Sequence, residues 1–85
     1  MRVLVPSHLR SYTHGKEELE SHGATLADVM RELDAHYAGF RARVIDEQDR
    51  IRPHVKFFVG GEQADTLDVK VGDREVQIVA ALSGG

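Results

Sequence analysis

The stretch "TLADVMRELDAHYAG", residues 25–39, constrains the fold more than any other part of the chain. Leu26, Val29, Met30, Leu33 and Tyr37 recur at i, i+3, i+4, i+7 and i+11, which places them on one stripe of an α-helix. Thr25 followed by Asp28 three residues later is close to a capping box, and Gly39 supplies a C-terminal stop. The spacing predicts one amphipathic helix over 25–38. A helix with a single apolar stripe needs another layer to cover it.

The remaining apolar residues follow a period of two. "RVLVP" reads as a strand closed by Pro6, with Val3 and Val5 on one face and Leu4 on the other. "KEELES", residues 16–21, is a weaker strand whose charges suit an exposed edge. Residues 39–53 are mixed, with one short helical turn around Phe40, Val44 and Ile45, and Pro53 ends them. "HVKFFV", residues 54–59, alternates with Val55, Phe57 and Val59 on one side, and Gly60-Gly61 then turns the chain. Residues 66–82 hold two short alternating runs around the turn signal Gly72-Asp73, with Val76 and Ile78 opposed to Gln77 and Val79. The predicted order is strand, strand, helix, irregular segment, strand, short strand, strand. That order implies an α+β domain with the helix on one face of a sheet.

Composition narrows function. Eighty-five residues make one small domain, with one core and no deep substrate cavity, which argues against a self-sufficient enzyme. A net charge of −3 gives no overall attraction to nucleic acid. No cysteine is present, so disulfides, thiol nucleophiles and thiolate zinc sites are excluded. No run is long enough to span a bilayer, and the apolar stretch in "MRVLVPSHLR" is too short for a signal peptide. The expected location is therefore cytoplasmic, away from membranes.

Candidate chemistry inside the domain is sparse. His8, His14, His22, His36 and His54 form no H-x-H or H-x-x-x-H pair and read as surface or loop residues, so no metal is expected. Arg41, Arg43, Arg50, Arg52 and Lys56 make a basic stretch diluted by Asp46, Glu47 and Asp49; a solvated loop and a rim steering an acidic partner both fit it. Gly60-Gly61 lacks the lysine and following helix of a phosphate loop. Ser7, Ser11 and Ser83 have no nucleophile-elbow setting.

The chain ends in "ALSGG" directly after a predicted strand. With glycine near 7% of average composition, two terminal glycines arise by chance in roughly 0.5% of chains. A tail without side chains can thread a narrow channel and bend where an L-residue would clash.

Together these features resemble the β-grasp sulfur carriers, the ubiquitin-like MoaD and ThiS proteins. The residues that carry the resemblance are Thr25, Leu26 and Leu33, "FFVGGE" at 57–62, "VGDREVQIV" at 71–79, and Gly84-Gly85. The long segment 39–53 is most similar to the carriers of the bacterial cysteine-biosynthesis branch. The chain departs at Gly60, where many members have Asn, and at Ala80-Ala81-Leu82, where many have proline or an aromatic residue. The second departure leaves open which partner reads the tail.

The resemblance implies a ubiquitin-like β-grasp fold: a mixed four- to five-stranded sheet with one main helix on one face, over 1–82, and a flexible tail over 83–85. It implies that a ubiquitin-activating-like adenylyltransferase uses ATP to adenylate the carboxylate of Gly85. A sulfurtransferase or other sulfur donor then leaves a thiocarboxylate, which supplies sulfur to a synthase making cysteine, molybdopterin, a thiazole or another thio-metabolite. The carrier itself has no catalytic residue, binds no cofactor and is a monomer when free. Ser83, Gly84 and Gly85 thread the partner's active site. In the family's strand order, Val3, Val5, Phe57, Val76 and Ile78 face the helix. Leu4, Phe58 and Val79 then sit together on the open face and, with Leu82, form a docking patch. Two other readings stay open: a modifier joined to lysines through Gly85, and a plain β-grasp interaction domain.

Overall fold

The computed structural model describes residues 1–81. Strand β1 (Arg2–Leu4) is followed by a 3-10 segment (Ser7–Thr13), β2 (Glu18–Glu20), helix α1 (Leu26–His36), the short α2 (Phe40–Val44), β3 (Val55–Val59), β4 (Glu62–Ala64) and β5 (Val76–Ala80). The five strands form one sheet in the order β2-β1-β5-β3-β4. β1 and β5 run parallel at Val3↔Val76 and Leu4↔Gln77, and every other pair is antiparallel. This is the mixed sheet with one main helix that the resemblance implies.

The two periodicities of the sequence meet in the core. Leu26, Val29, Met30 and Leu33 of α1 are buried against the inward strand positions Val3, Val5, Phe57, Val76 and Ile78, all at most 5% exposed. Phe40, Val44 and Ile45 close the core from α2 and its exit, and Tyr37 packs at its edge. Burying side chains of this size stabilises by about 1.5–3 kcal/mol each, the main favourable term in so small a domain.

Helix α1 starts as its sequence prescribes. Thr25 is the N-cap: the Asp28 N–H donates to its hydroxyl oxygen (3.2 Å), and the Asp28 carboxylate accepts from the Thr25 N–H (3.3 Å). The Thr25 hydroxyl also donates to the Asp28 carboxylate (3.1 Å), and this bond first, with the Arg31 guanidinium second (2.9 Å), holds the Asp28 carboxyl below its usual range. Two further N–H groups of the first turn reach across the chain, from Leu26 to the Val69 carbonyl (3.1 Å) and from Ala27 to the Leu67 carbonyl (2.9 Å).

That pairing corrects one expectation. Residues 66–70 do not form the predicted short strand. Apart from a bridge between Lys70 and Thr25, their carbonyls cap α1 instead. The short strand lies earlier, at Glu62–Ala64, where it pairs with β3 through Phe57↔Ala64, Phe58↔Gln63 and Val59↔Glu62. Gly60 (φ 57°) and Gly61 (φ 87°) make that hairpin turn in the left-handed region that L-residues avoid. Gly39 is a second correction. The helix ends at His36 with Tyr37 as its C-cap, and Gly39 (φ 91°) caps the start of α2 rather than stopping α1.

The 3-10 segment is absent from the predicted order. Pro6 opens it, the Leu9 N–H donates to the Pro6 carbonyl (3.0 Å), and His14 (φ 56°) closes it. It buries Leu9 and Thr13, the latter donating its hydroxyl to the Lys16 carbonyl (2.8 Å).

Candidate functional site

The sheet has one face covered by helices and one open face. Side chains alternate along strands, so the residues flanking each buried position point outward. One row crosses the open face from edge to edge: Glu18 on β2, Leu4 on β1, Gln77 on β5, Phe58 on β3 and Gln63 on β4. Val79 stands two residues beyond Gln77 and pairs with Lys56. Leu4 and Phe58 are half-buried, whereas Val79 is 42% exposed.

The three apolar residues expected to sit together share this face, with a polar residue at its centre. Leu4 and Phe58 lie on the two strands either side of β5, about 10 Å apart by strand spacing, with the exposed amide of Gln77 between them. Val79 lies diagonal to both. The alternation in the sequence locates all three on the face. It does not reveal the polar centre, which needs the registers.

Charges border one end of this face. Arg2 reaches Glu75 through Nε (2.9 Å) and Nη2 (2.7 Å) and lies 3.5 Å from Glu18, which ties β2, β1 and the entry to β5 together. The basic stretch of residues 41–52 is taken up locally. Arg41 pairs with Asp49 (2.7 Å), Arg50 with Asp46 (3.9 Å) and Arg52 with Glu47 (3.8 Å), while the Arg43 guanidinium sits 5.4 Å from the centre of the Tyr12 ring. Asp46 is held below its usual range because its carboxylate accepts the Arg50 and Gln48 N–H groups. Of the two readings of this stretch, the pairing matches the solvated, self-neutralised loop. Among the described residues, no group of three or more His, Asp or Glu is arranged to hold a metal, and no helix is long and apolar enough to cross a membrane.

The chain leaves the sheet from its centre. β5 is paired with β3 along its whole length, from Val59↔Val76 to Val55↔Ala80, and the Ala81 N–H adds a bond to the His54 carbonyl (3.0 Å). The backbone is thus tied down to Ala81. Leu82, Ser83, Gly84 and Gly85 lie outside the described residues. By covalent geometry, four residues span at most about 14 Å.

The sequence pattern alone does not show the groove beside this exit. β1 leaves the sheet at Pro6 and turns into the 3-10 segment, so it accompanies β5 only to Gln77. A groove of about 400 Å³ opens there between Pro6, His8 and Arg10 on one wall and residues 78–80 on the other. Pro6 and the Leu9–Tyr12 spacing of three were the available signals for that turn.

Behind the sheet, a compact polar cluster fixes the entry to α1. The buried Ser21 hydroxyl donates to the Glu32 carboxylate, which also accepts the His22 N–H (2.8 Å). These bonds, Ser21 first, hold the Glu32 carboxyl below its usual range. The Gly23 N–H donates to the Ser21 hydroxyl oxygen (3.2 Å), which draws Gly23 onto the first turn of α1.

No protein-family model matches the chain. The sulfur carrier protein CysO of Mycobacterium tuberculosis is 30% identical over 98% of this chain and 96% of its own length. A chain of the crystal structure of the Amycolatopsis orientalis BexX/CysO complex superposes with a TM-score of 0.90 at 27% identity, covering 99% of this chain and 98% of that one. The small archaeal modifier protein 1 of Methanosarcina acetivorans superposes at 0.80 with 21% identity, over 99% of this chain and 94% of that one, a likeness of fold alone. With a relative matched nearly end to end and the same mixed sheet throughout, this chain belongs to the MoaD/ThiS-type family of ubiquitin-like β-grasp sulfur carrier proteins.

Proposed function

We propose that this protein carries sulfur as a thiocarboxylate on Gly85 and has no catalytic chemistry of its own. The observation that carries the reading is the end-to-end match to CysO combined with the Gly84-Gly85 tail that follows a backbone tied down at Ala81.

The chemistry explains the division of labour. A carboxylate is a poor electrophile because its oxygen leaves badly. In the first step a Gly85 carboxylate oxygen attacks the α-phosphorus of ATP, pyrophosphate departs, and an acyl adenylate forms. In the second, a hydrosulfide equivalent from a sulfur donor attacks the acyl carbon. The bond to the AMP oxygen breaks, AMP leaves, and the thiocarboxylate remains to deliver sulfide to an acceptor. Each step needs a water-excluding pocket, since hydrolysis would destroy the adenylate. The protein supplies instead a narrow handle, Ser83, Gly84 and Gly85, that enters a pocket on a ubiquitin-activating-like adenylyltransferase. ATP belongs to that partner. Leu4, Phe58, Val79 and Leu82 form the docking patch that brings the tail to it.

ATP–pyrophosphate exchange by the activating enzyme tests the reading. Intact protein supports exchange, deletion of Gly85 abolishes it, and Gly85→Ala weakens it. Normal exchange with the truncated protein overturns the reading. Isopeptide-linked conjugates in cells, with no thiocarboxylate, would instead assign the same activated end to protein modification.

A further inference from the structure

We propose that the groove beside the end of β5 is a strand-addition site: an extended segment of the activating partner, carrying a basic side chain, pairs with the backbone edge at Ala80 that no strand among the described residues covers. This rests on the reading of Gly85 as the activated end, and it specifies how the partner grips the chain next to that end.

The pairing pattern exposes the edge. The Ala81 N–H bonds to His54 on β3 (3.0 Å), and in an antiparallel ladder alternate residues bond to the same side. Gln77, Val79 and Ala81 therefore direct their N–H and C=O groups toward β3. Ala80 directs its own toward the β1 side, where the last strand pair among the described residues is Leu4↔Gln77. β1 cannot continue the ladder, because Pro6 carries no N–H and the chain turns away into the 3-10 segment.

The outer edges of the sheet look different. β2 is guarded by Glu18 and Glu20, and β4 is three residues long with Glu62 and Gln63 exposed, the usual protections against unwanted pairing. The inner edge at Ala80 instead opens onto a groove of about 400 Å³ walled by Leu4, Pro6 and Val79. A short extended segment matches that shape, with main-chain bonds giving affinity and side-chain contacts giving specificity.

Charge selects the occupant. The carboxylates of Glu17 and Glu18 line the groove; Arg10 lies 3.5 Å from Glu17, and Arg2, 3.5 Å from Glu18, is held more closely by Glu75 (2.7 Å), so two guanidinium groups serve three carboxylates. The surplus carboxylate favours a lysine or arginine on the incoming segment.

Amide hydrogen exchange on the isotope-labelled full chain, alone and saturated with the activating enzyme, tests the site. The proposal expects the Ala80 amide to exchange at least about tenfold more slowly in the complex, because a new hydrogen bond must open first. Ala80→Pro removes that N–H without touching the β3 ladder. It should raise the carrier concentration for half-maximal ATP–pyrophosphate exchange about threefold to tenfold, the worth of one hydrogen bond. Should that variant fail to fold, the exchange rate of the unmodified chain decides. Normal ATP–pyrophosphate exchange with Ala80 unprotected in the complex overturns the strand-addition site alone. No ATP–pyrophosphate exchange at all overturns the Gly85 reading and this site with it. Protection of Ala80 in the free protein that grows with concentration, or that vanishes on deletion of residues 82–85, overturns the proposal in favour of a second copy or the chain's own tail.

Discussion

Replacing Gly23 by alanine perturbs the junction between sheet and helix at one atom. A Cβ there would lie 2.5 Å from the Val29 nitrogen, 2.8 Å from the Asp28 carbonyl carbon and 2.9 Å from the Val29 Cα. All three are backbone atoms of the first turns of α1, so no side chain can swing aside. The shortest approach is about 0.9 Å inside ordinary contact, which begins at 3.4 Å. Relief requires moving residues 21–23 away from the helix, against the bonds that Ser21 and His22 make to Glu32. Overpacking of this kind costs about 1–3 kcal/mol. The unfolded chain loses entropy on gaining the methyl group, which offsets about 0.4–1 kcal/mol. An overlap this deep on backbone atoms puts the cost in the upper part of that range, about 2–3 kcal/mol, so a net loss of about 1–2.5 kcal/mol lowers the melting temperature of a domain this size by roughly 5–20 °C. Thermal unfolding followed by circular dichroism measures it. A melting temperature unchanged or raised would show that the segment yields freely, and the polar cluster would then not fix the entry to α1.

Acid should destabilise the protein. Asp28, Glu32 and Asp46 all have folded-state values below their unfolded ones, so below about pH 5 the unfolded chain binds more protons. Their contribution is complete above that range and is lost as pH falls through the carboxylate region; melting temperatures between pH 7 and pH 3 should decline, and Glu32→Gln should flatten the decline. Ser21→Ala removes a buried hydrogen bond to a carboxylate and should cost about 1.5–3 kcal/mol in urea unfolding at pH 7. Phe58→Asp places a charge on the open face and should weaken binding to the activating enzyme about tenfold or more while leaving the circular dichroism spectrum native; an unchanged affinity removes Phe58 from the docking patch.

Much of this architecture is legible because its signals are local. The stripe from Leu26 to Leu33 and the Thr25–Asp28 cap specify α1 without reference to anything distant. The alternation of Val3, Val5, Phe57, Val76 and Ile78 likewise identifies the buried face. What escaped depends on tertiary pairing. Residues 66–70 alternate like a strand, yet the unpaired N–H groups of α1 compete for their carbonyls and win, while Glu62–Ala64, with hardly any strand pattern, is drawn into the sheet by the Gly60-Gly61 turn. The same limit applies to the candidate site. Sequence places Leu4, Phe58 and Val79 on one face. Only the registers put Gln77 between the first two, and only the departure of β1 at Pro6 leaves an edge beside Ala80.

The most direct test of the central claim is the mass of the C-terminal peptide after the protein is incubated with ATP, sulfide and the activating enzyme. Exchange of one carboxyl oxygen for sulfur adds about 16 Da and must map to Gly85, since oxidation of a methionine adds nearly the same mass elsewhere in the chain. The account predicts that gain on Gly85, dependent on ATP. A C-terminal peptide that does not end at Gly85, or one that keeps its unmodified mass while the enzyme turns over, would contradict it.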